Sequence, residues 1–541
     1  MKENLNVMTF RTLGMTNILL VMVIVIFGVH PWYFLMLTSA QLVFVPLTLD
    51  LFIKNDDGWL AKYLPYFSVP AFLAILILQL TDVTRWDPLL AGIYFAFTVM
   101  ISVYGLKRFF QRGFIHMEEF LIDIGFIYLV IGGAWFVAFE TGINTGFSPM
   151  LTWLTAIHFH YSAFLLPVFL GLFGRLYKTT SYRWIAVIII LSPIIVALGI
   201  TFSVTLEFIS VLIYIVGIYG LIALTFKATL QHIIQRWLIR LSFAALGISI
   251  LFSLLYAFGN LSGLFTVTID FMLIFHGITN TVLFAIVGII GWRIELPDSR
   301  VRTLTFPVSK IRGKATVGEQ VLKDKLDDQT YTGLIDDLAV YEPDINRETL
   351  SPSIVHFYEH TNEYRLFAKV KWQFWFKPLA VVYRLISRYV GQLNLPLSSK
   401  AIEMTGNIVS VQDAVDGRTD TRAWIRKVKN ETIFVALYAK HTNNGRTYNN
   451  IALPLPASSM IGILQLSQID KSLRLTSIRE NGEDSDAGIY LAVGKNLFKL
   501  PIEEQFDVIE IDKGKLQAEH KMWIFSVPFL RIDYRIINKE G

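Results

Sequence analysis

Apolar residues gather in ten long runs over about the first 292 positions, and beyond them the pattern changes to short alternating stretches. A helix needs about 20 mostly apolar residues, at roughly 1.5 Å each, to cross a hydrocarbon core about 30 Å thick. The runs that meet this length are Arg11–Val29, Trp32–Ile53, Leu64–Leu80, Pro88–Gly105, Glu118–Phe139, Met150–Phe173, Trp184–Ser203, Glu207–Leu224, Trp237–Phe258 and Phe271–Trp292. Only His30-Pro31 separates the first two, so eight spans plus a hairpin is the alternative; either version puts residue 54 on the same side. Trp32, Trp59, Trp86, Trp184, Trp237 and Trp292 stand near run ends, where an amphipathic ring prefers the headgroup region.

After residue 293 the periodicity is different. Residues 294–334 are rich in Lys, Arg, Asp, Thr and Gly and read as a polar linker. From 335 to 541, strand-like alternation covers Tyr364–Trp372, Ile402–Val411, Thr421–Lys427, Ile433–Lys440, Tyr448–Leu453, Leu473–Ile478, Ile489–Val493 and Leu516–Phe525, with Asn443-Asn444-Gly445 as a tight turn. One helix, Pro378–Leu393, interrupts them, with Leu379, Val382, Tyr383, Ile386 and Val390 on an apolar stripe. The expected architecture is an α-helical polytopic membrane domain (1–293), the linker, and an α+β, mostly antiparallel β, cytoplasmic domain whose curved sheet encloses an apolar cavity. Aromatics in the alternating runs, among them Trp424, Phe434, Tyr438 and Phe525, read as core. Arg422, Trp424 and Arg426 share a face that reads as solvated or phosphate-contacting.

Charge orients the spans. Lys54, Lys62, Lys107, Arg108, Arg112, Arg175, Lys178, Arg183, Lys227, Arg236, Arg240 and Arg293 fall on the side of Lys2 and Arg11, and the other side holds only Arg85. Cytoplasmic loops carry the excess of basic residues, so both termini are expected in the cytoplasm. The run from Leu13 to Val29 leads into further spans without a small-residue cleavage site, and reads as a retained helix.

Composition adds exclusions. Of 541 residues, 54% are hydrophobic and 17% charged, too apolar for an ordinary soluble enzyme. A net charge of +5 is met by anionic headgroups and does not call for nucleic acid. The absence of cysteine excludes disulfides, thiolate metal sites and a cysteine nucleophile. The sequence contains no nucleotide-binding loop, nucleophile elbow or His-Glu-x-x-His motif.

Ionisable groups inside a bilayer are costly unless paired or wetted, which makes those within the spans the candidate site. His158 and His160 lie in Thr-Ala-Ile-His-Phe-His-Tyr, residues 155–161. At about 100° per residue their side chains point about 160° apart, so one metal ion does not take both. His158 shares a face with Thr155 and Ser162; His276, Thr279 and Asn280 form one polar face of the tenth run. Counting about 1.5 Å per residue from the outer helix ends, His158 lies roughly 12 Å and His276 roughly 8 Å deep, and Gln41 is at a comparable level. A shared site of Gln41, His158, His276 and Asn280 is therefore possible, with His158 and His276 as metal ligands if a divalent metal is the cofactor. The plain alternative is separate interhelical hydrogen bonds.

A further cluster, His116, Glu118, Glu119 and Asp123, begins the fifth run, where His116, Glu119 and Asp123 share a face suited to a cation or a proton relay. Glu140 and Glu207 stand at outer boundaries, where a carboxylate is ordinarily solvated.

The stretch Thr-Ala-Ile-His-Phe-His-Tyr and the later Phe-His-Gly, together with Tyr448–Pro456 and Glu519–Phe525 in the tail, resemble the YndJ-like family of bacterial membrane proteins. The resemblance implies a multispan protein of the bacterial plasma membrane, sometimes labelled a transporter, and attaches no catalytic motif. The leading expectation is a protein that moves or binds a small solute or lipid, with the β-rich domain sensing or docking a ligand. Two alternatives stand beside it: a membrane-embedded metal-dependent enzyme acting on a lipid through His158 and His276, and a sensor passing an external signal to the C-terminal domain.

Overall fold

The computed structural model describes residues 8–54, 56, 58–299, 306–429, 431–479, 485–494 and 496–539. Lys2 of the charge pattern, and residues 300–305 of the polar connection, lie outside them. The chain divides into two compact units, one of residues 1–109 and 116–301, the other of 110–115 and 302–541.

Among the described residues, ten helices are long and apolar enough to cross a membrane: α1 (Phe10–Phe27), α2 (Phe34–Ile53), α3 (Trp59–Leu80), α4 (Asp87–Arg112), α5 (Met117–Glu140), α6 (Pro149–Leu176), α7 (Thr180–Phe202), α8 (Val204–Lys227), α9 (Ile233–Ser262) and α10 (Ile269–Ile294). The first pair forms two separate helices, not a hairpin. Hydroxyl residues start five of them: Thr9, Ser148, Thr179, Ser203 and Thr268 each accept from a backbone N–H of the first turn. Such a cap satisfies donors that otherwise lack a partner at a membrane boundary.

Small residues set the helix spacing, as expected where lipid removes the hydrophobic drive for helix association. Gly125 of α5 faces Val168 and the Phe164 carbonyl of α6; Gly199 of α7 faces the Glu207 backbone of α8; Gly288 of α10 faces Phe169 and Ser242. The most buried spans are α6 and α2, which places them at the centre of the unit.

Both central helices contain a π-helical turn, Ala40–Phe44 in α2 and Tyr161–Leu165 in α6. Each precedes a proline, Pro46 or Pro167, that cannot donate to the carbonyl four residues back, so the ladder widens ahead of it. The Leu42 carbonyl released by Pro46 accepts instead from the Asn17 side chain of α1 at 2.7 Å. In α10, π-helical turns cover Met272–Gly277 and Thr279–Ile286 without a proline.

The second unit is an antiparallel sheet of twelve strands: β1 (Tyr364–Trp372), β2 (Ile402–Ser410), β3 (Arg422–Val428), β4 (Glu431–Asn443), β5 (Arg446–Leu455), β6 (Ser458–Ile469), β7 (Ser472–Thr476), β8 (Gly488–Val493), β9 (Asn496–Lys499), β10 (Ile502–Asp512), β11 (Lys515–Ile524) and β12 (Val527–Asn538). Strand order runs β5-β4-β3-β2-β1-β12-β11-β10-β7-β6, and β6 pairs back onto β5, so ten strands close a barrel with β8 and β9 continuing from β6. Closure pairs β5 with β6, so neither is left as a free sheet edge. Asn444 and Gly445, both at positive φ, make the tight β4–β5 turn. Helices α11 (Pro352–Glu359) and α12 (Lys377–Val390) flank the sheet.

Alternate positions point inward: Trp424 and Arg426, then Phe434, Ala436 and Tyr438, then Asn449, Ile451 and Leu453, and so on round to Ile532, Tyr534 and Ile536. They enclose a cavity of about 150 Å³. Trp424 and Arg426 are thus turned into the barrel and Arg422 is buried against Asp336 and Tyr331, so this face is not a solvated stripe. Arg426 lies between aromatic rings, 4.5 Å from the Trp424 centroid and 4.2 Å from that of Phe434. Phe525, by contrast, is exposed at the β11–β12 turn.

From residue 306 the stretch with linker composition packs against the barrel: Phe306, Ile311, Val317, Val321 and Leu322 are buried with Val435, Leu437 and Tyr490. A fully buried ion pair fixes it. Asp416 accepts from Arg418 Nε at 2.6 Å and from Ser309 Oγ at 2.6 Å, while Arg418 also reaches the Asn450 carbonyl at 2.7 Å.

Candidate functional site

Three separate groups of polar side chains in the first unit contain most of the candidate residues. The first lies at the start of α5. Arg108 of α4 donates through Nε to Asp123 at 2.7 Å and through Nη2 to Glu119 at 3.1 Å. Arg175, in the last turn of α6, donates to the same Glu119 through Nε at 2.7 Å and Nη2 at 2.9 Å, and to the Pro297 carbonyl at 2.9 Å. Ser299 adds a hydroxyl donor to Glu119 at 2.9 Å. Next to this group Glu118 pairs with Lys178 at 2.8 Å, and His116 lies 3.6 Å from Glu118. Among the described residues, Glu119 and Asp123 set against Arg108 and Arg175 clamp α4, α5, α6 and the segment after α10 together. Charge-assisted, bidentate geometry of this kind is strong and directional.

The second group is His160, fully buried on α6. Its Nδ1 lies 2.8 Å from the Ala156 carbonyl and its Nε2 2.7 Å from the Tyr94 hydroxyl of α4. Both ring nitrogens are used within the helix bundle, and Gly132 of α5 leaves the room the ring occupies.

The third group surrounds a cavity of about 280 Å³ walled by α6, α7, α8, α9 and α10 with Met36 of α2 and Trp135 of α5. His158 and His276 line it, with ring centroids 6.1 Å apart. The His158 side chain is exposed although it lies within α6, because it faces the cavity and not a neighbouring helix. His158 Nδ1 is 2.6 Å from the Leu154 carbonyl, which can only accept, so Nδ1 carries the proton and Nε2 of the neutral ring offers a lone pair. No partner among the described residues approaches that Nε2. His276 Nδ1 lies 3.0 Å from the Ser249 carbonyl and 2.8 Å from the Ser249 hydroxyl of α9, and Asn280 Nδ2 donates to His276 Nε2 at 3.1 Å.

Below them Tyr161 donates to the Met36 carbonyl at 2.8 Å and lies 3.1 Å from the Thr281 hydroxyl, tying α6 to α2 and α10. The π-helical turns at Tyr161 and across His276 and Asn280 alter which side chains face inward, a recurrent device at functional sites. The rest of the wall is mainly apolar; Glu207 is its acidic member, and among the described residues no Lys or Arg lines it.

His158, His276 and Asn280 are therefore brought to one cavity, whereas Gln41, buried in the α2 π-helical turn, is not part of its wall. His160, Glu119 and Asp123 belong to the other two groups. As a metal site the pair supplies two imidazoles, and among the described residues no group of three or more His, Cys, Asp or Glu is placed to hold an ion. Ser249 and Ser253, four residues apart on α9, face His276 and escape a search for ionisable groups; Tyr161 and Tyr214 of the wall read in the sequence as ordinary apolar positions of their spans. The signal of the serines in the chain is a spacing of small polar residues on one helix face. Arg108 and Arg175 carry no signal beyond charge, since only the fold reveals Glu119 and Asp123 as their partners.

In the second unit, Arg422 is buried, bonds bidentately to Asp336 at 2.9 and 2.7 Å and lies 3.6 Å over the Tyr331 ring. The Arg422 hydrogen bond holds the Asp336 carboxyl below the usual range. Inside the barrel, burial pushes the Tyr438 and Tyr534 hydroxyls up against the pull of Arg426. His520 Nε2 lies 3.0 Å from Glu504.

A family model described as YndJ-like protein matches residues 35–284, which contain the whole cavity wall. The uncharacterized membrane protein YndJ of Bacillus subtilis is 40% identical over 481 residues, 87% of each chain, an alignment that must extend well into the β unit. No solved structure matches the chain.

Proposed function

The chain belongs to the YndJ-like family of membrane proteins, and from that premise we propose that it binds, and moves or presents, a small and largely apolar molecule inside the bilayer, at the cavity of His158 and His276. The carrying observation is the juxtaposition of the two rings, 6.1 Å apart, in a mainly apolar chamber of about 280 Å³. Few polar groups converging in an apolar cavity between helices is the usual form of a small-molecule site. The wall favours an uncharged ligand, because an ion brought there would lose its hydration without a counter-charge beyond Glu207. The His158 Nε2 lone pair suits a ligand hydroxyl or N–H donor, and the clamped His276–Asn280 pair fixes the opposite wall.

The basic residues of alternate loops support cytoplasmic termini in a bacterial plasma membrane, with the barrel as a cytoplasmic sensing or docking unit. A metal-dependent enzyme reading has two imidazoles to build on, and among the described residues no group of three or more His, Cys, Asp or Glu is placed to complete an ion site.

Because the chain has no cysteine, Ser253→Cys in reconstituted protein reports access to the cavity without background. The small neutral reagent methyl methanethiosulfonate is expected to modify it, and Ser162→Trp, which fills the cavity, to slow that reaction about tenfold or more. The ligand-site reading fails if Ser253→Cys is as inert as Ser192→Cys, a buried position outside the cavity wall, or if Ser162→Trp leaves the rate unchanged.

A further inference from the structure

Helix α12 reads Lys377-Pro-Leu-Ala-Val-Val-Tyr-Arg-Leu-Ile-Ser-Arg-Tyr-Val390, and its apolar side faces away from the barrel. Leu379, Val382, Leu385, Ile386 and Tyr389 recur at helical spacing and are 56–73% exposed, while Ala380 and Ser387 are buried and Tyr383 and Val390 pack half-buried against the barrel. Two more rings extend the patch, Phe374 at 83% and Trp375 at 38% exposure. The patch is held firmly. Trp375 Nε1 donates to the Pro528 carbonyl at 3.0 Å and the Tyr383 hydroxyl to the Leu393 carbonyl at 3.2 Å, so the helix presents its apolar face as a fixed surface.

Charge identifies what fits that surface. Between Glu363 and Glu403 the chain has no Asp or Glu, yet it carries Arg365, Lys369, Lys371, Lys377, Arg384, Arg388 and Lys400. Arg365, Lys371 and Arg388 are paired with carboxylates from other elements; Lys377 and Arg384 on α12 have no carboxylate partner among the described residues. Contiguous exposed apolar surface of this size marks an interaction site. An amphipathic helix with aromatic and aliphatic residues on one side and Lys and Arg beside them is built to lie in a bilayer interface, its apolar face among the acyl chains and its cations at anionic headgroups. A second copy of the helix would bring like charges together. Chain continuity with α10, a membrane-spanning helix, keeps α12 at high effective concentration relative to lipid.

We propose that α12, with Phe374 and Trp375, is a second membrane attachment of this protein: an interfacial helix that seats the β unit on an anionic bilayer surface. Its exposed face is thus a lipid contact, and its cations select phosphatidylglycerol-like headgroups over zwitterionic ones.

The test uses the full-length chain, free of native cysteine, with the single substitution Leu385→Cys carrying an NBD fluorophore, in vesicles of three parts phosphatidylcholine to one part phosphatidylglycerol. The exposed polar position Glu348→Cys is the control. A label at 385 is expected to lose about half its emission to a doxyl group near the top of the acyl chain and to resist aqueous iodide, with the control behaving oppositely. Replacing phosphatidylglycerol by phosphatidylcholine, or combining Lys377→Gln with Arg384→Gln, should weaken the doxyl effect. The proposal is overturned if the label is open to iodide and blind to doxyl lipid, which means water, or blind to both, which means a protein covers the face. Doxyl quenching that persists unchanged without anionic lipid refutes the headgroup selection.

Discussion

Replacing Glu119 by Ala removes the carboxylate that receives Arg108, Arg175 and Ser299 together. Arg108 keeps Asp123, but among the described residues Arg175 keeps the Pro297 carbonyl and the face of Phe52, so a guanidinium with 4% side-chain exposure loses its counter-charge. Breaking a buried pair in this way costs about 3–5 kcal/mol, most of it the penalty of stranding the remaining charge. At roughly 2–4 °C per kcal/mol, the expected fall in melting temperature is about 6–20 °C. The assay is the fraction of monodisperse protein that survives a temperature ramp in detergent, read by size-exclusion chromatography. Removing the stranded cation as well, in Glu119→Ala with Arg175→Met, should recover more than half of the loss, because apolar replacement of both partners is far less costly than removal of one. A carboxylate whose task was only to relay protons would tolerate Glu119→Gln without a thermal shift. The reasoning is refuted if Glu119→Ala melts within about 2 °C of the parent, or if the double variant melts no higher than the single one.

Three further outcomes are expected. Tyr94→Phe strips the His160 Nε2 of its 2.7 Å hydroxyl partner in a fully buried position and should cost about 1–3 kcal/mol in the same thermal assay; an unshifted melting curve contradicts it. Gly199→Ala would set a Cβ 2.5 Å from Glu207 Cα and 2.6 Å from its amide nitrogen, and backbone does not yield, so α7 and α8 must separate at a cost of about 1–3 kcal/mol, whereas Gly92→Ala meets nothing within 4 Å and should be neutral or stabilising. Asp336 has a lowered folded-state pKa through Arg422, so its contribution is complete above the ordinary Asp range and is lost as pH falls through the folded value. Asp336→Asn should therefore flatten that part of the acid limb of the stability profile, and an acid limb identical to the parent's would show that the pair carries no linkage.

How much of this was legible along the chain depends on how local each determinant is. All ten spans were readable, yet α9 runs from Ile233 to Ser262 where hydropathy marks only Trp237–Phe258. An apolar run measures the hydrocarbon, while the hydrogen-bond ladder continues into the headgroups. Eight strand segments were visible through alternation, but β6, β9, β10 and β12 were not. Met460–Leu466 of β6 is a nearly unbroken buried run, since both its faces are covered, and β10 scatters Glu503, Glu504, Asp507, Glu510 and Asp512 through its alternation. Of the stripe read on α12, Leu379, Val382 and Ile386 are exposed whereas Tyr383 and Val390 pack on the barrel, because amphipathicity names a face without naming what covers it.

Hydropathy by itself determined that the chain makes ten membrane-length helices and then an antiparallel β unit, since the periods of helix and strand and the width of a bilayer are properties of neighbouring residues. Only tertiary structure decided that ten strands close through β6 onto β5, that His158 meets His276 across 118 positions while Gln41 stays apart, and that Glu119 and Asp123 are held by Arg108 and Arg175. Those outcomes depend on which distant surfaces pack together, and on π-helical turns at Tyr161 and around His276 that redirect side chains by part of a turn. Residue spacing on a regular helix carries neither.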